Sequence, residues 1–555
     1  MATTGAYLIS PLAEGLGTSE EAVRLILSLH SGYLLAIFQR LFLKKAPPTA
    51  YHVFYTLAGL SIVYFNFGIA TYHSALSVIV NWALLHLLGG SFRSVVLSFI
   101  YNMGTLLLHY YLIGTTTYVI NFTTPQCVLT FRLIGLAWDI YDGTKPPEKQ
   151  SESQKKVVLN RSPTLLEVSG YVYHFGGLLV GPQFPMKQYL LSIQALTSTE
   201  EKPPISIMLA LQKLATGVLY LCLFTLQTVY FPDDYMISKD FEELDLLSRW
   251  GFVFIWGRLF ICKLVGVWLI SEGACILSGL AYIPGTDGNP PRMDACQNVK
   301  IIPYELSGSP DEIIQSFNIT TNQWLLSYIY KRMRFLGMRI VSHVVTLSFL
   351  GIWHGLLSGY QAAFLFEVAW VRGAREIDDL ARRVPVSRVL PAAGVRIVQG
   401  AALVARWLFT WTVFSYMLVP FALLVADKWV KVHGLLYWGG YIAIGLALVI
   451  GPLLRLCLAP PPRAPTKEPA TSSNGTPPSD SSNVDEMTTS DRQNGSVTVD
   501  IPSRHLAGPG RDENLQVAES GGRSQEDAQN LVAAYLGPSQ KKLLDKFVWE
   551  KDENK

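Results

Sequence analysis

The chain has 555 residues, 50% of them hydrophobic and only 16% charged. Soluble domains carry about 25% charged residues, so the shortfall points to lipid as the main solvent and excludes an ordinary water-soluble enzyme. The net charge of +3 is too small for a nucleic-acid partner, and none is expected.

Residues 1–20 are a mixed, acidic leader without the pattern of a cleavable signal peptide. A spanning helix needs about 20 mainly apolar residues. Candidate spans, or parts of spans, run over 23–43, 53–70, 75–88, 95–113, 128–138, 207–230, 250–282, 340–358, 360–371, 401–426 and 435–458. The expected architecture is an all-α, polytopic membrane protein with about nine to eleven transmembrane helices. Segments 51–66 and 170–181 are rich in Gly, Tyr, Asn and His, which suits re-entrant or broken helices lining a protein interior. No internal repeat marks a transporter built from two related halves.

Polar loops cover 142–161 and 284–315. Basic clusters at Lys44–Lys45, Lys331–Arg339 and Arg372–Arg396 are candidates for the cytoplasmic side. Composition changes after Leu458: residues 459–555 form a polar, mostly disordered tail, with short amphipathic helices possible at 530–536 and 543–549. No dilysine retrieval signal stands at the end of the chain. The membrane core is thus expected over 21–458.

Six cysteines show neither a CxxC pair nor metal-ligand spacing with histidine, so no metal site is expected. A Cys275–Cys296 disulfide across a loop is left open. Most of the ten histidines read as satisfied interior residues, among them His30, His86 and His109.

His354 differs in its setting, Trp353-His354-Gly355-Leu-Leu-Ser-Gly359-Tyr360, within an apolar segment. A titratable group at bilayer depth is a functional-site candidate, usually facing a polar cavity, and imidazole suits proton transfer near neutral pH. His343 lies eleven residues earlier, on the same helical face but roughly 16 Å away, too far for a shared metal or direct proton relay. It belongs either to the mouth of the same cavity or to its polar lining.

A second constellation is Ser316-Phe-Asn318-Ile-Thr320-Thr-Asn322-Gln323-Trp324-Leu-Leu-Ser-Tyr328-Ile-Tyr330-Lys331-Arg332. Thr320 and Gln323 fit a capping box, so a helix is expected from about Thr321, with Trp324, Tyr328 and Phe335 near one face. Asn318 would sit in the loop before it, where its amide and adjacent helix N-terminal amides could hold an oxyanion. The plain alternatives are a turn residue or a glycosylation sequon. Lys331, Arg332, Arg334 and Arg339 suit either membrane topology or a phosphate site. Asp139, after Trp138, reads as an interfacial cap.

Together the Trp353–Tyr360 run, the Phe317–Trp324 run, Tyr330-Lys331-Arg332, Gly181-Pro182-Gln183-Phe184 and Trp138-Asp139 resemble the membrane-bound O-acyltransferase family over about residues 20–458. Within it the likeness is to lysophospholipid acyltransferases, above all the lysophosphatidylcholine branch. The resemblance implies a reaction chamber enclosed by the helices and an integral, multi-pass location in the endoplasmic reticulum membrane. It implies transfer of a fatty acyl chain from acyl-coenzyme A, a co-substrate, to the free sn-2 hydroxyl of a lysophospholipid, with no cofactor. By the same likeness His354 and Asn318 are the catalytic pair, and Asn322, Trp324, Tyr328, Lys331, Arg332, Trp353 and Tyr360 are substrate-binding candidates. The other readings are a lysolipid with an ethanolamine, serine or inositol headgroup, a protein acceptor, or a non-catalytic transporter or scaffold on the same fold. A homodimer is left open.

Overall fold

The computed structural model describes residues 6–198, 203–204, 206–285, 289–383 and 391–458. The expected tail, 459–555, lies outside the described residues, as do parts of the leader, of loop 284–315 and of the Arg372–Arg396 cluster. The described regular structure is helical apart from one antiparallel bridge between Ile283 and Arg292.

Seven helical stretches among the described residues are long and apolar enough to cross a membrane: Glu20–Phe42, Pro48–Leu88, Phe92–Ile113, Ile207–Ile237, Leu246–Ser278, Gly394–Leu423 and Gly439–Cys457. Local chemistry sets their ends. Ser19 accepts from the Ala22 amide and Glu20 and Glu21 occupy the first turn of Glu20–Phe42. Asp245 caps Leu246–Phe260 through the Leu247 and Ser248 amides. Ile207–Tyr230 packs on Cys262–Ser278, and a Cβ at Gly217 or Gly266 would lie 2.9 Å from the other's carbonyl oxygen. Missing side chains let these backbones approach closely.

Three expected spans fall outside these seven stretches, each for its own reason. Thr123–Gly143 is sheathed by protein along nearly its whole length. Arg339–His354 has only 16 residues, and the second half of Ser358–Arg383 is charged. Segment 51–66 does not break either; it lies within the regular helix Pro48–Phe67. Its polar groups find partners outside the helix, which removes any need for irregular backbone. Tyr51 donates to the Leu43 carbonyl at 2.9 Å, His52 Nδ1 is 2.7 Å from the Tyr189 hydroxyl, and Asn66 donates to Ser28 at 2.7 Å. Segment 170–181 does leave the helix: Leu165–Val172 ends and a buried, irregular run follows to Pro185. Cys275 and Cys296 are both free and buried.

Candidate active site

A cavity of about 1370 Å³ penetrates the helical body, and Asn318, Asn322, Trp353, His354 and Tyr360 all line it. The sequence-predicted pair therefore faces one space, although the two residues are 36 positions apart.

His354 is the last residue of Arg339–His354. Gly355 follows with φ +150°, and a Cβ there would lie 2.9 Å from the Tyr360 ring. The glycine thus both ends the helix and lets Tyr360 close over the imidazole. Tyr360 and Phe364 stack on the His354 ring at 5.5 and 5.2 Å, while Trp353 and Phe421 meet it edge-on at 4.6 and 5.1 Å. Among the described residues, neither ring nitrogen has a hydrogen-bond partner. An imidazole fixed by aromatic faces, with its nitrogens unspent, keeps a lone pair for a ligand in the cavity.

Trp353 fixes the other side of the turn. Its indole donates to the Cys127 carbonyl at 3.1 Å, and its own carbonyl accepts from Tyr110 at 2.9 Å. Its ring stacks on Phe131, which stacks on Trp324 at 3.9 Å.

Asn318 precedes the short helix Ile319–Leu325 with φ 51° and ψ 40°, the left-handed region that asparagine tolerates better than most side chains. No capping box forms. Thr320 turns inward, donating to Asn298 Oδ1 at 2.7 Å and accepting from the Gln183 amide at 3.0 Å, and Gln323 is exposed. Three of the first helix amides are also spent. Ile319 donates to the Asn298 carbonyl, Thr320 to Asn298 Oδ1, and Asn322 to the Asn318 carbonyl, each at 3.0 Å. The Asn318 carboxamide remains for a ligand, beside the cavity-lining Thr321, whose amide has no acceptor among the described residues. Asn318 Oδ1 accepts a long bond, 3.5 Å, from Asn298, and the Asn318 amide group has no acceptor among the described residues.

The other candidates divide. Asn322 lines the cavity but spends its amide on the carbonyls of Ile314 and Phe317, at 3.1 and 3.0 Å. Trp324 is buried and donates to the Phe131 carbonyl at 2.9 Å, so it supports the wall from behind. After Leu325 the chain widens into a π-helical turn, Leu326–Tyr330. That turn and the tight one after it send Tyr328, Lys331 and Arg332 to a separate pocket of about 200 Å³. There Arg332 is ion-paired with Asp142 and lies 4.1 Å from the Trp138 ring centroid, while Lys331 donates to Ser153 at 3.0 Å. Asp139 is fully buried and accepts from Tyr328 at 2.7 Å; it is an interior anchor, not an interfacial cap. His343 is half-buried on the far part of its helix and does not line the cavity.

Sequence reasoning missed Glu272, Asn298 and Lys263. Glu272 is buried; its Oε1 accepts from the amides of Asn298 and Val299 at 2.7 and 2.9 Å, and Oε2 pairs with Lys213 at 2.6 Å. Asn298 and Lys263 line the cavity. The available signal was an acid and a base inside the long apolar segment 250–282, where ionisable residues are costly. Nothing in sequence marks Asn298, because its role depends on a contact 20 residues away.

A polytopic helical body enclosing an imidazole and a carboxamide in one deep cavity has the layout of an integral membrane enzyme. The profile of MBOAT, the membrane-bound O-acyltransferase family, matches residues 107–419. The chain belongs to that family and is an acyltransferase. It is 38% identical over 453 residues to lysophospholipid acyltransferase 5 of Bos taurus, covering 81% of this chain and 93% of the relative. The Homo sapiens protein of the same name is 37% identical over 453 residues, with the same coverage. That of Drosophila melanogaster is 32% identical over 443 residues, 78% of this chain and 87% of the relative.

Proposed function

We propose that this protein transfers a fatty acyl chain from acyl-coenzyme A to the free sn-2 hydroxyl of a lysophospholipid, with lysophosphatidylcholine the favoured acceptor, in the endoplasmic reticulum membrane. The observation that carries the reading is the presence of His354 and Asn318 in the lining of one cavity. The names borne by its relatives support a lysophospholipid acceptor.

The chemistry follows from the two side chains. A secondary alcohol is a weak nucleophile until its proton leaves during attack. Neutral His354 takes that proton as the hydroxyl oxygen bonds to the thioester carbonyl carbon, a contribution of about 10²–10⁴-fold. The carbonyl oxygen becomes negative and is met by the Asn318 amide, a donor worth about 10²–10³-fold in comparable sites. Collapse breaks the carbon–sulfur bond, and the imidazolium returns the proton to the departing thiolate. Ester and free coenzyme A result, with no acyl-enzyme intermediate. Aromatic walls around His354 keep bulk water from competing for the thioester.

The test is acyl transfer by the purified protein in lipid nanodiscs, against lysolipids of several headgroups and acyl-coenzyme A of several lengths. Lysophosphatidylcholine should be the best acceptor, and His354→Ala and Asn318→Ala should each abolish turnover while the protein still elutes as a single folded species. Transfer to a peptide alone would overturn the acceptor. Wild-type turnover in His354→Ala would overturn the base.

A further inference from the structure

Several charged side chains in the helices that surround the cavity are answered by the protein itself. Lys213 pairs with Glu272, Arg258 with Glu305, and Arg40 donates to the carbonyls of Leu277 and Pro203 at 3.0 and 3.2 Å. Lys263 is unanswered, as is the cavity-lining Glu367; Lys263 is the one lysine or arginine of that lining among the described residues. It is the second residue of Cys262–Ser278, lies within the membrane-spanning stretch Leu246–Ser278, and lines the same cavity as Asn318 and His354. Among the described residues its ammonium has neither a hydrogen bond nor an ion pair. What surrounds it is aromatic: Nζ is 3.7 Å from the Phe260 ring centroid, 5.4 Å from that of Phe224 and 5.7 Å from that of Tyr118. The cavity also reaches Asp233, but that carboxylate already accepts from Gln227 at 2.9 Å and Trp256 at 2.7 Å.

Aromatic faces offset only part of the cost of holding a cation out of water. A lysine kept at this depth with no hydrogen bond or ion pair of its own is suited to an anion that arrives and leaves. We propose that Lys263 binds the phosphodiester of the acceptor lysophospholipid and so selects a phosphate-bearing acceptor. This rests on the acceptor reading above.

The alternative anion, a phosphate of coenzyme A, fits the position less well. Glu272, which anchors the Asn298–Asn318 unit, lies nine residues further along the same helix, about 13 Å toward Ser278. The Ser278 end meets Arg40 and Gln39, and Arg40, Lys44 and Lys45 gather there, the charge pattern of a cytoplasmic face. Coenzyme A entering from such a face would have its phosphates on the Ser278 side of the reaction centre. Lys263 lies on the opposite side, where the acceptor's glycerol and phosphate extend away from the reacting hydroxyl.

The experiment separates the two substrates kinetically. In nanodiscs, Lys263→Gln should raise KM for lysophosphatidylcholine by about tenfold or more, the scale of one charge-assisted hydrogen bond, and leave KM for acyl-coenzyme A unchanged. Lys263→Arg should recover most of the loss. Added lysophosphatidylcholine should raise the melting temperature of the wild type and not of Lys263→Gln, whose ligand-free melting temperature should be no lower than that of the wild type. Lys263→Met reports the same quantities if the Gln variant does not accumulate. An unchanged lysolipid KM, or a rise in KM for acyl-coenzyme A instead, overturns the proposal. If the wild type acylates no lysophospholipid, the acceptor reading itself has failed; if it does and the variants match it, only the role of Lys263 has failed.

Discussion

The side-chain oxygen of Asn298 lies 3.0 Å from the Thr320 amide nitrogen and 2.7 Å from the Thr320 hydroxyl, so the turn carrying Asn318 is clamped by a residue 22 positions upstream of Thr320. Glu272 holds Asn298, and Lys213 holds Glu272. The left-handed backbone at Asn318 is therefore fixed through a relay crossing four segments of the fold, which grips the first turn of the short helix after it.

Breaking the far end of that relay should be felt at the site. Glu272→Ala strands the Lys213 ammonium, which is only 17% exposed, and removes the acceptor for two buried amides. Losing one partner of a buried pair costs about 3–5 kcal/mol. The variant should melt well below the wild type and lose most acyl transfer. The double variant Lys213→Met with Glu272→Gln removes both charges and keeps a carbonyl acceptor for Asn298 and Val299. It should recover most of the melting temperature and much of the turnover. Equal losses in single and double variants, measured by thermal unfolding and transfer assays, would show that charge pairing is not what holds Asn318.

Gly359 carries a steric prediction. A Cβ there would sit 2.0 Å from the Pro420 carbonyl oxygen and 2.8 Å from the Leu424 Cα, while the Gly359 amide donates to the Leu424 carbonyl at 2.8 Å. All of these are backbone atoms, so none can swing aside. Gly359→Ala should push the 355–360 turn off its neighbour, cost about 1–3 kcal/mol as overpacking does, and reduce transfer by displacing Tyr360 from His354. Gly445 offers the contrast, since nothing lies within 4 Å of its Cβ position in Gly439–Cys457. Gly445→Ala should be neutral or raise the melting temperature, as helix propensity favours alanine by about 1 kcal/mol.

The cap of Leu165–Val172 should show in the pH profile. The Arg161 guanidinium donates to Glu167 at 2.9 Å, and the Thr164 amide donates to it at 2.7 Å. Arg161 first, then Thr164, hold the Glu167 carboxyl down from 4.5 to about 2, against the opposing pull of partial burial. A folded-state value below the unfolded one contributes stability that is complete above about pH 4.5 and is lost as pH falls toward about 2. Melting temperature should therefore decline through that window more steeply in the wild type than in Glu167→Gln. Parallel curves for the two proteins would exclude this contribution.

Much of the architecture was written in one-dimensional patterns. Apolar length marks the spanning stretches, and the Trp353-His354-Gly355 run marks the wall that Tyr360 closes. The span at 128–138 reads as lipid-facing, although Thr123–Gly143 is buried in protein, because hydropathy does not distinguish lipid from protein as an apolar surround. Thr320 and Gln323 have the spacing of a capping box, yet the Thr320 amide donates to Asn298 Oδ1 and the Thr320 hydroxyl accepts from the Gln183 amide, tertiary contacts that no local pattern encodes. Lys331 and Arg332 keep company with Asn318 in sequence only; one wide helical turn carries them to Asp142 and Ser153.

Arg132 supplies a final prediction, because it substitutes for regular structure in the buried run 173–185. Its guanidinium donates to the carbonyls of Val172 at 2.9 Å and Gly177 at 2.7 Å, with longer bonds to Tyr171 and Pro182 at 3.4 and 3.3 Å, and lies 4.2 Å from the Phe184 ring centroid. A planar fork can serve several carbonyls at once while stacking on a ring; a lysine ammonium is a point donor on a flexible stem. Arg132→Lys keeps the charge but leaves carbonyls unpaired, at about 1–3 kcal/mol for each buried acceptor. Residues 179–183 of this run line the cavity and Gln183 bonds to Thr320, so loosening the run should also unsettle the Asn318 turn. The expected result is faster amide hydrogen exchange across 173–185, a lower melting temperature and reduced transfer. Exchange unchanged in 173–185 would mean that the irregular backbone is held by its own packing and Arg132 is dispensable to it.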